Sequence, residues 1–485
     1  MQKKFIINLF FLLGLNLLVK PFWIFGIDRT VQNTVGAEQY GLYFAVLNFS
    51  FLFTFLLDFG LTGFNNRNVA RYSHMINKYV SNILGMKSLL ALLYGIVSVS
   101  IAFIIGYDTL HFKLFLWVGI NQMLSSLILY LRSNISGLQL FKTDSVLSVL
   151  DRLLMIIFCS VLIWGNVFNV EINIYYFASL QTLAYIITAL IAFYIVIRYS
   201  ALKKIKWDMK LYRVLFRQSF PFALLAFLML FYYRVDSVML ERLLPNGSIH
   251  AGMYASAYRL LDALNMFAYL FAVILLPLFS RMFAEKIDTG KIINIAASLL
   301  LSSSMLFAAL GWFFPKEIID LLYIEHIKES SDVLKILLPG IIPLSMVYIF
   351  GTLLTAHGSL KILNIIAAIG VILNIGLNFI LIPVMKEQGA AIAGVSTQFM
   401  VAVSQLILVF IIVKPKALAK NMFLLLLFGI LLFIAGILFK EYTNNLNIQI
   451  AGLVIIWLIF IAYKAIILYR QSSFSILKQL PWNKS

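Results

Sequence analysis

Three basic side chains, Lys20, Arg234 and Arg259, stand inside apolar runs long enough to cross a bilayer. A charge near the bilayer centre costs at least ~2.5–3.5 kcal/mol, so it persists where it faces a watery cavity, a partner or an interface. Lys20 is followed by Pro21, which weakens the local helix, and Asn16 lies one turn below it on the same face. Measured from the ends of their apolar runs, all three cations fall in the outer half of the membrane, where the bias of cations toward the cytoplasmic side disfavours them. Cations so placed could hold an anionic group such as a diphosphate in a cavity. The alternative is structural pairing, of Arg259 with Asp262 at i,i+3 and of Arg234 with Asp236. The acid that stands most alone is Asp58, in Phe-Leu-Leu-Asp-Phe-Gly, and Ser50, Thr54, Asp58 and Thr62 recur every four residues as a polar seam. Asp58 could exchange a proton or sodium ion, pair with a cavity cation, or cap the chain near Asn65, Asn66 and Arg67. Asn374, Asn378, Gln398 and Gln405 read as hydrogen-bonding contacts between helices.

The elements that must position these residues follow from composition. Of 485 residues, 62% are hydrophobic and 12% charged, and the mean hydropathy is +0.96. The apolar residues come in blocks of about 20, the length that spans a ~30 Å hydrocarbon core as helix. Lipid offers no partners to an open strand edge, so the class is all-α integral membrane, with about 14 transmembrane helices. The first block, near 5–27, follows Lys3 and Lys4 in the manner of a signal peptide. It lacks a small-residue cleavage site and reads as a retained helix. With the N-terminus placed in the cytoplasm, the opposite loops hold only Arg29, Arg242, Lys316, Lys328, Lys386 and Lys440. The other loop cations fall on the cytoplasmic side, so both termini are expected there. The net charge of +18 is thereby explained by topology and anionic headgroups, and nucleic acid is not an expected partner.

The most basic loop, 198–211, is a natural seam. It divides the chain into an N-terminal six-helix lobe at 1–200, a second six-helix lobe at 201–415, and two additional helices with a cytoplasmic tail at 416–485. A weak repeat agrees with this, since Gly41-Leu-Tyr-Phe-Ala and Gly252-Met-Tyr-Ala-Ser each open a block, six blocks apart. The longest outer connection, about 315–332, is acidic and too short to fold as a soluble domain. Cys159 is the single cysteine, so an intrachain disulfide is impossible. The chain contains no HExxH, P-loop, nucleophile elbow or CxxC pattern, so neither an enzyme nor a cofactor or metal is expected.

Two segments carry a resemblance. Gly41-Leu-Tyr-Phe-Ala through Leu-Leu-Asp58-Phe-Gly-Leu-Thr and Asn65-Asn-Arg67-Asn-Val-Ala-Arg71 is similar to the second-helix region of polysaccharide-biosynthesis membrane proteins. Asn374-Ile-Gly-Leu-Asn378-Phe-Ile-Leu-Ile-Pro383, followed by Gln388-Gly-Ala-Ala-Ile-Ala-Gly-Val-Ser-Thr-Gln398, resembles their junction between helices 11 and 12. These are the O-antigen (Wzx-type) oligosaccharide flippases of the multidrug/oligosaccharidyl-lipid/polysaccharide exporter (MOP) superfamily. The resemblance implies two six-helix bundles in a MATE-like V around a central cavity, with helices 13 and 14 outside it. It implies undecaprenyl-diphosphate-linked oligosaccharide as cargo, moved from the cytoplasmic to the periplasmic leaflet of a bacterial inner membrane. A polysaccharide polymerase and a chain-length regulator are the protein partners that such a pathway implies. Cavity roles for Lys20, Arg234 and Arg259 fit that family, with Asp58, Asn16 and Asp262 as coupling or polar cavity residues. A lipid II flippase and a cation-coupled drug antiporter remain as alternatives. A membrane glycan polymerase or ligase is disfavoured by the absence of a large outer loop.

Overall fold

The computed structural model describes residues 14–16, 18–71, 76–165, 172–200, 207 and 209–471. Of the topology-setting cations, Lys3, Lys4, Lys203, Lys204, Lys206, Lys478 and Lys484 lie outside the described residues. Among those described, the regular structure is helical throughout. Eleven helical stretches are long and apolar enough to cross a membrane, or up to 12 with one bent pair counted as a span. Two of these stretches fold back on themselves at a single residue, which gives fourteen transmembrane helices.

The first reversal is at Gly36, whose φ of 81° and ψ of 167° suit glycine alone. Asp28 and Tyr40 would stand about 18 Å apart along a continuous helix. Their side chains instead meet at 2.7 Å, so the chain turns between them. The second reversal is at Lys386 (φ 50°, ψ −128°). A Cβ added to Gly389 would meet the Leu381 carbonyl oxygen at 2.4 Å, a contact that a continuous helix cannot make. The helices are therefore α1 (14–35), α2 (37–52, continued by Phe55–Asp58 and Leu61–Arg71), α3 (Ile76–Ile104), α4 (Thr109–Gly137), α5 (Phe141–Trp164), α6 (Ile174–Tyr199) and α7 (Met209–Leu243). After them come α8 (Gly247–Ala284), α9 (Gly290–Phe313), α10 (Ile327–His357), α11 (360–385), α12 (387–413), α13 (Leu418–Tyr442) and α14 (Leu446–Gln471).

Local chemistry sets several ends. Asp108 caps α4 by accepting the His111 backbone N–H at 2.9 Å, and that bond, followed by the His111 ring, holds its carboxyl below the usual carboxylate range. Asn173 caps α6 by accepting from the N–H groups of Tyr175 and Tyr176. Where lipid removes the hydrophobic drive between helices, close approach of small residues replaces it. Gly41 is the clearest case, since a Cβ there would lie 1.8 Å from the Ser248 carbonyl oxygen.

The chain forms two compact units. The first comprises Met1–Arg259, Ile319–Ser330 and Leu360–Thr397, and the second Leu260–Ile318, Ser331–Ser359 and Gln398–Ser485. In the second, Leu306, Phe313, Phe314, Phe428, Leu432 and Leu453 make an apolar core between α9, α13 and α14. Lys464 is buried there and donates to the Asn421 amide oxygen at 2.5 Å.

The helices extend beyond the apolar blocks. α1 continues past residue 27 to the Gly36 turn, so Lys20 lies about 22 Å from that end at 1.5 Å per residue. By the same measure Arg234 is about 14 Å from the end of α7, and Arg259 about 18 Å from the start of α8.

Candidate functional site

The first unit gathers all three intramembrane cations that the sequence singles out. Arg259 on α8 lies 2.9 Å from Asp28 on α1, and its Nε–H donates to the Tyr40 hydroxyl at 2.8 Å. Tyr40 in turn donates to the same Asp28 oxygen at 2.7 Å. The guanidinium lies over the Phe44 and Tyr40 rings, 5.3 and 5.7 Å from their centres. Asp28 is 4% exposed, so this is a buried, charge-neutral triad. Sequence reasoning missed Asp28 because it falls one residue past the apolar block and reads as loop.

Arg234 on α7 donates to the Asn48 amide oxygen at 3.3 Å. Its guanidinium packs against the rings of Phe51 and Tyr258, at 5.4 and 5.3 Å from their centres. Asp236, its suggested partner, is wholly buried and accepts from Asn374 at 3.0 Å, Asn378 at 2.7 Å and Tyr254 at 3.2 Å. Asn374 and Asn378 are thus contacts between helices, as their types suggested. They also build a carboxylate–amide cluster to which the Asn378 amide oxygen adds a buried acceptor without a donor. Gly394 lies against this cluster, where a Cβ would come within 2.6 Å of Asp236.

Lys20 is half-buried, and no carboxylate lies within ion-pair distance of it among the described residues. The charges bearing on it are those of Arg152, Asp151 and Arg132. Arg132 is engaged by Asp144 at 2.8 Å, whereas Arg152 is only 3.8 Å from its neighbour Asp151. The Arg152 guanidinium rests against Trp23 and Tyr185, 5.4 and 5.9 Å from their ring centres. Asn16 donates to Ser148 on α5 at 3.0 Å and so fixes α1 against the helix that carries Arg152. The structure makes Arg152 a neighbour of Lys20. Asp262 is half-buried one turn beyond Arg259 on α8 and falls in the second unit.

Asp58 is not isolated. The helix breaks on both sides of it, at Phe53–Thr54 and at Phe59–Gly60, both of which have positive φ (44° and 77°). Asp58 accepts from Thr62 and pairs with Lys87 of α3 at 2.7 Å. Lys87 is 6% exposed and also donates to the Leu57 carbonyl and to Ser126, both at 2.9 Å. Lys87 therefore holds the broken end of a helix. The spacing of Ser50, Thr54, Asp58 and Thr62 did mark a protein-facing seam, for Ser50 meets the Tyr94 hydroxyl at 2.5 Å.

The arrangement sets cations against aromatic faces within the helices and has no cluster of three or more metal-ligating His, Cys, Asp or Glu side chains among the described residues. The family of polysaccharide biosynthesis proteins matches residues 8–283, more than half of the chain. The chain belongs to that family. A second family, MatE, matches residues 221–380. A curated relative, the uncharacterized membrane protein MJ1068 of Methanocaldococcus jannaschii, is 24% identical over 449 residues, 86% of each chain. Among solved structures, a lipid II flippase MurJ in an inward closed conformation shares the fold with a TM-score of 0.68 at 18% identity, over 96% of this chain and 99% of its own. An inward-facing multidrug resistance MATE transporter of the MOP superfamily gives 0.60 at 13% identity, over 81% and 94%. A MOP transporter from Pyrococcus furiosus, described as having a binding pocket of reverse polarity, gives 0.57 at 15% identity, over 84% and 94%. The chain is a multi-pass membrane protein of the polysaccharide biosynthesis family with a MurJ- and MATE-like fold.

Proposed function

We propose that this transporter flips undecaprenyl-diphosphate-linked oligosaccharide units from the cytoplasmic to the periplasmic leaflet of a bacterial inner membrane, for assembly of a surface polysaccharide. The observation that carries this reading is the cationic set on α1, α5, α7 and α8. Lys20 lies near Arg152, which is 3.8 Å from Asp151, and Arg259 and Arg234 complete the set. A diphosphate answers that charge, and it can compete with Asp28 for the Arg259 guanidinium. The sugars cross beside polar and aromatic side chains, because each hydroxyl stripped of partners in hydrocarbon costs roughly 2–7 kcal/mol. The isoprenoid tail stays in lipid. The two six-helix lobes, 1–200 and 201–415, rock in alternating access, with 416–485 as the appended pair. A polymerase and a chain-length regulator receive the product, and both termini of the flippase face the cytoplasm.

Coupling to a proton or a cation fits Asp236 better than Asp58. Asp58 already carries Lys87, whereas Asp236 is wholly buried and, among the described residues, accepts from the neutral donors Asn374, Asn378 and Tyr254. Lys20→Ala, and Arg259→Ala in a chain that also carries Asp28→Asn, are expected to abolish surface glycan export at normal protein level. Full export by both variants would remove the basic-cavity reading. The MurJ-like fold also favours lipid II as a second cargo. Depletion that halts cell-wall synthesis, with surface glycan export intact, would select it.

A further inference from the structure

The loop that follows the short helix Pro315–Leu322 belongs to the first unit, where it is stapled to the α1–α2 turn. Asn33 donates to the Leu322 carbonyl at 2.9 Å, and Glu325 accepts the Ala37 backbone N–H, freed by the Gly36 reversal, at 2.8 Å. Between these contacts lies a small cavity lined by Gln32, Ala37, Tyr323, Glu325, His326 and Ser330, with room for about one water-sized particle.

Its chemistry is one-sided. The Gln32 amide nitrogen donates to the Gly252 carbonyl at 3.2 Å and to the Ser256 hydroxyl at 2.7 Å. Reversing that amide would set two carbonyl oxygens against each other, so the orientation is fixed. Gln32 Oε1 is left buried without a donor, and the Ser330 hydroxyl is buried without a partner among the described residues. Gln32 is 5% exposed and Ser330 fully buried. Glu325 brings a negative charge to the mouth of the cavity, with no basic group within ion-pair distance among the described residues. Beside the two orphaned oxygens Glu325, exposed to solvent and holding the Ala37 N–H, adds a carboxylate. An amide oxygen, a carboxylate oxygen and a hydroxyl are ligands for a hard cation.

We propose that this cavity, on the predicted outer face, binds a single hard cation of the calcium or sodium class between Gln32, Glu325 and Ser330. The ion ties the acidic loop to the α1–α2 turn. With one carboxylate the site is weak, in the range of extracellular calcium modules, about 0.1–1 mM.

The test uses the purified full-length protein in detergent, with thermal unfolding and radioactive calcium binding measured side by side. Calcium and sodium are titrated separately against choline at equal ionic strength. With a Kd of about 1 mM, about 10 mM calcium raises the ratio of folded to unfolded protein about 11-fold. Glu325→Gln keeps an acceptor for the Ala37 N–H but removes the charge, and is expected to weaken binding at least tenfold. Ser330→Ala, the milder change, is expected to weaken it severalfold, and it decides the matter if Glu325→Gln does not fold. A sodium response without a calcium response, lost in the same variants, supports the site and selects the monovalent ion. No response to either cation beyond choline, or responses unchanged in both variants, overturns the proposal and leaves a bound water. A response lost in Asp236→Asn but kept in Glu325→Gln overturns it as well.

Discussion

Replacing Arg259 by methionine leaves a carboxylate where a neutral triad stood. Asp28 loses the guanidinium at 2.9 Å and keeps only the Tyr40 hydroxyl at 2.7 Å. At 4% exposure it has no water to take over. Removing one partner of a buried ion pair typically costs 3–5 kcal/mol, mostly through the charge left behind. Arg259→Met should therefore lower the folding constant by about two to three and a half powers of ten. Asp28→Asn in the same chain removes the stranded charge, and the amide still accepts from Tyr40. The double variant should recover most of that loss. Thermal unfolding in detergent reads stability, and surface glycan per cell reads transport. If Arg259 only braces α8 against α1, the double variant restores both. If it also meets the diphosphate, stability returns and export does not. A single variant as stable as the parent would refute the buried pair itself.

Lys87→Met should destabilise by about 1–3 kcal/mol, because it takes donors from the Leu57 carbonyl and from Asp58, although the 35% exposure of Asp58 and its Thr62 donors soften the loss; an unfolding midpoint unchanged from the parent would contradict this. Gly41→Ala places a methyl group 1.8 Å from the Ser248 carbonyl oxygen, so the α2 and α8 backbones must part; expression or melting temperature should fall sharply, whereas Gly63→Ala, with nothing within 4 Å, should be neutral. Asp236→Asn should leave the fold intact, since an amide keeps acceptor capacity toward Asn374 and Asn378, while removing the dependence of export on the coupling gradient; normal gradient dependence in that variant removes Asp236 from coupling.

The membrane class and the helices were legible because block length and hydropathy are direct statements about the bilayer. The three cations were legible for the same reason, since charge in an apolar run is costly wherever it occurs. The end of α1 was not. α1 runs to the Gly36 turn rather than to residue 27, because Asp28, Arg29 and Thr30 are polar yet helical: Asp28 meets Arg259 of α8, and Thr30 donates back to the Gly26 carbonyl one turn earlier. Composition ends a helix where apolar residues end, whereas the chain ends it where the backbone needs a positive φ. The same gap hid Asp28, and it made Asp58 look solitary when Lys87, 29 residues away in sequence, was its partner. Pairings between distant residues leave no trace in spacing. The reversal at Lys386 was legible as a short outer turn, because Pro383 and the Gly389-Ala-Ala run announce it.

The interruption of α2 around Asp58 has a further meaning for movement. In hydrocarbon, bending a helix normally strips a peptide group of its partner, and no solvent is present to replace it. Here the Leu57 oxygen is already served by a side chain from another helix, through the long, rotatable tether of Lys87 and the hydroxyl of Ser126. The segments on either side of the interruption can swivel while that tether follows, so flexing requires no peptide bond to be bared to lipid. The joint is lubricated in advance.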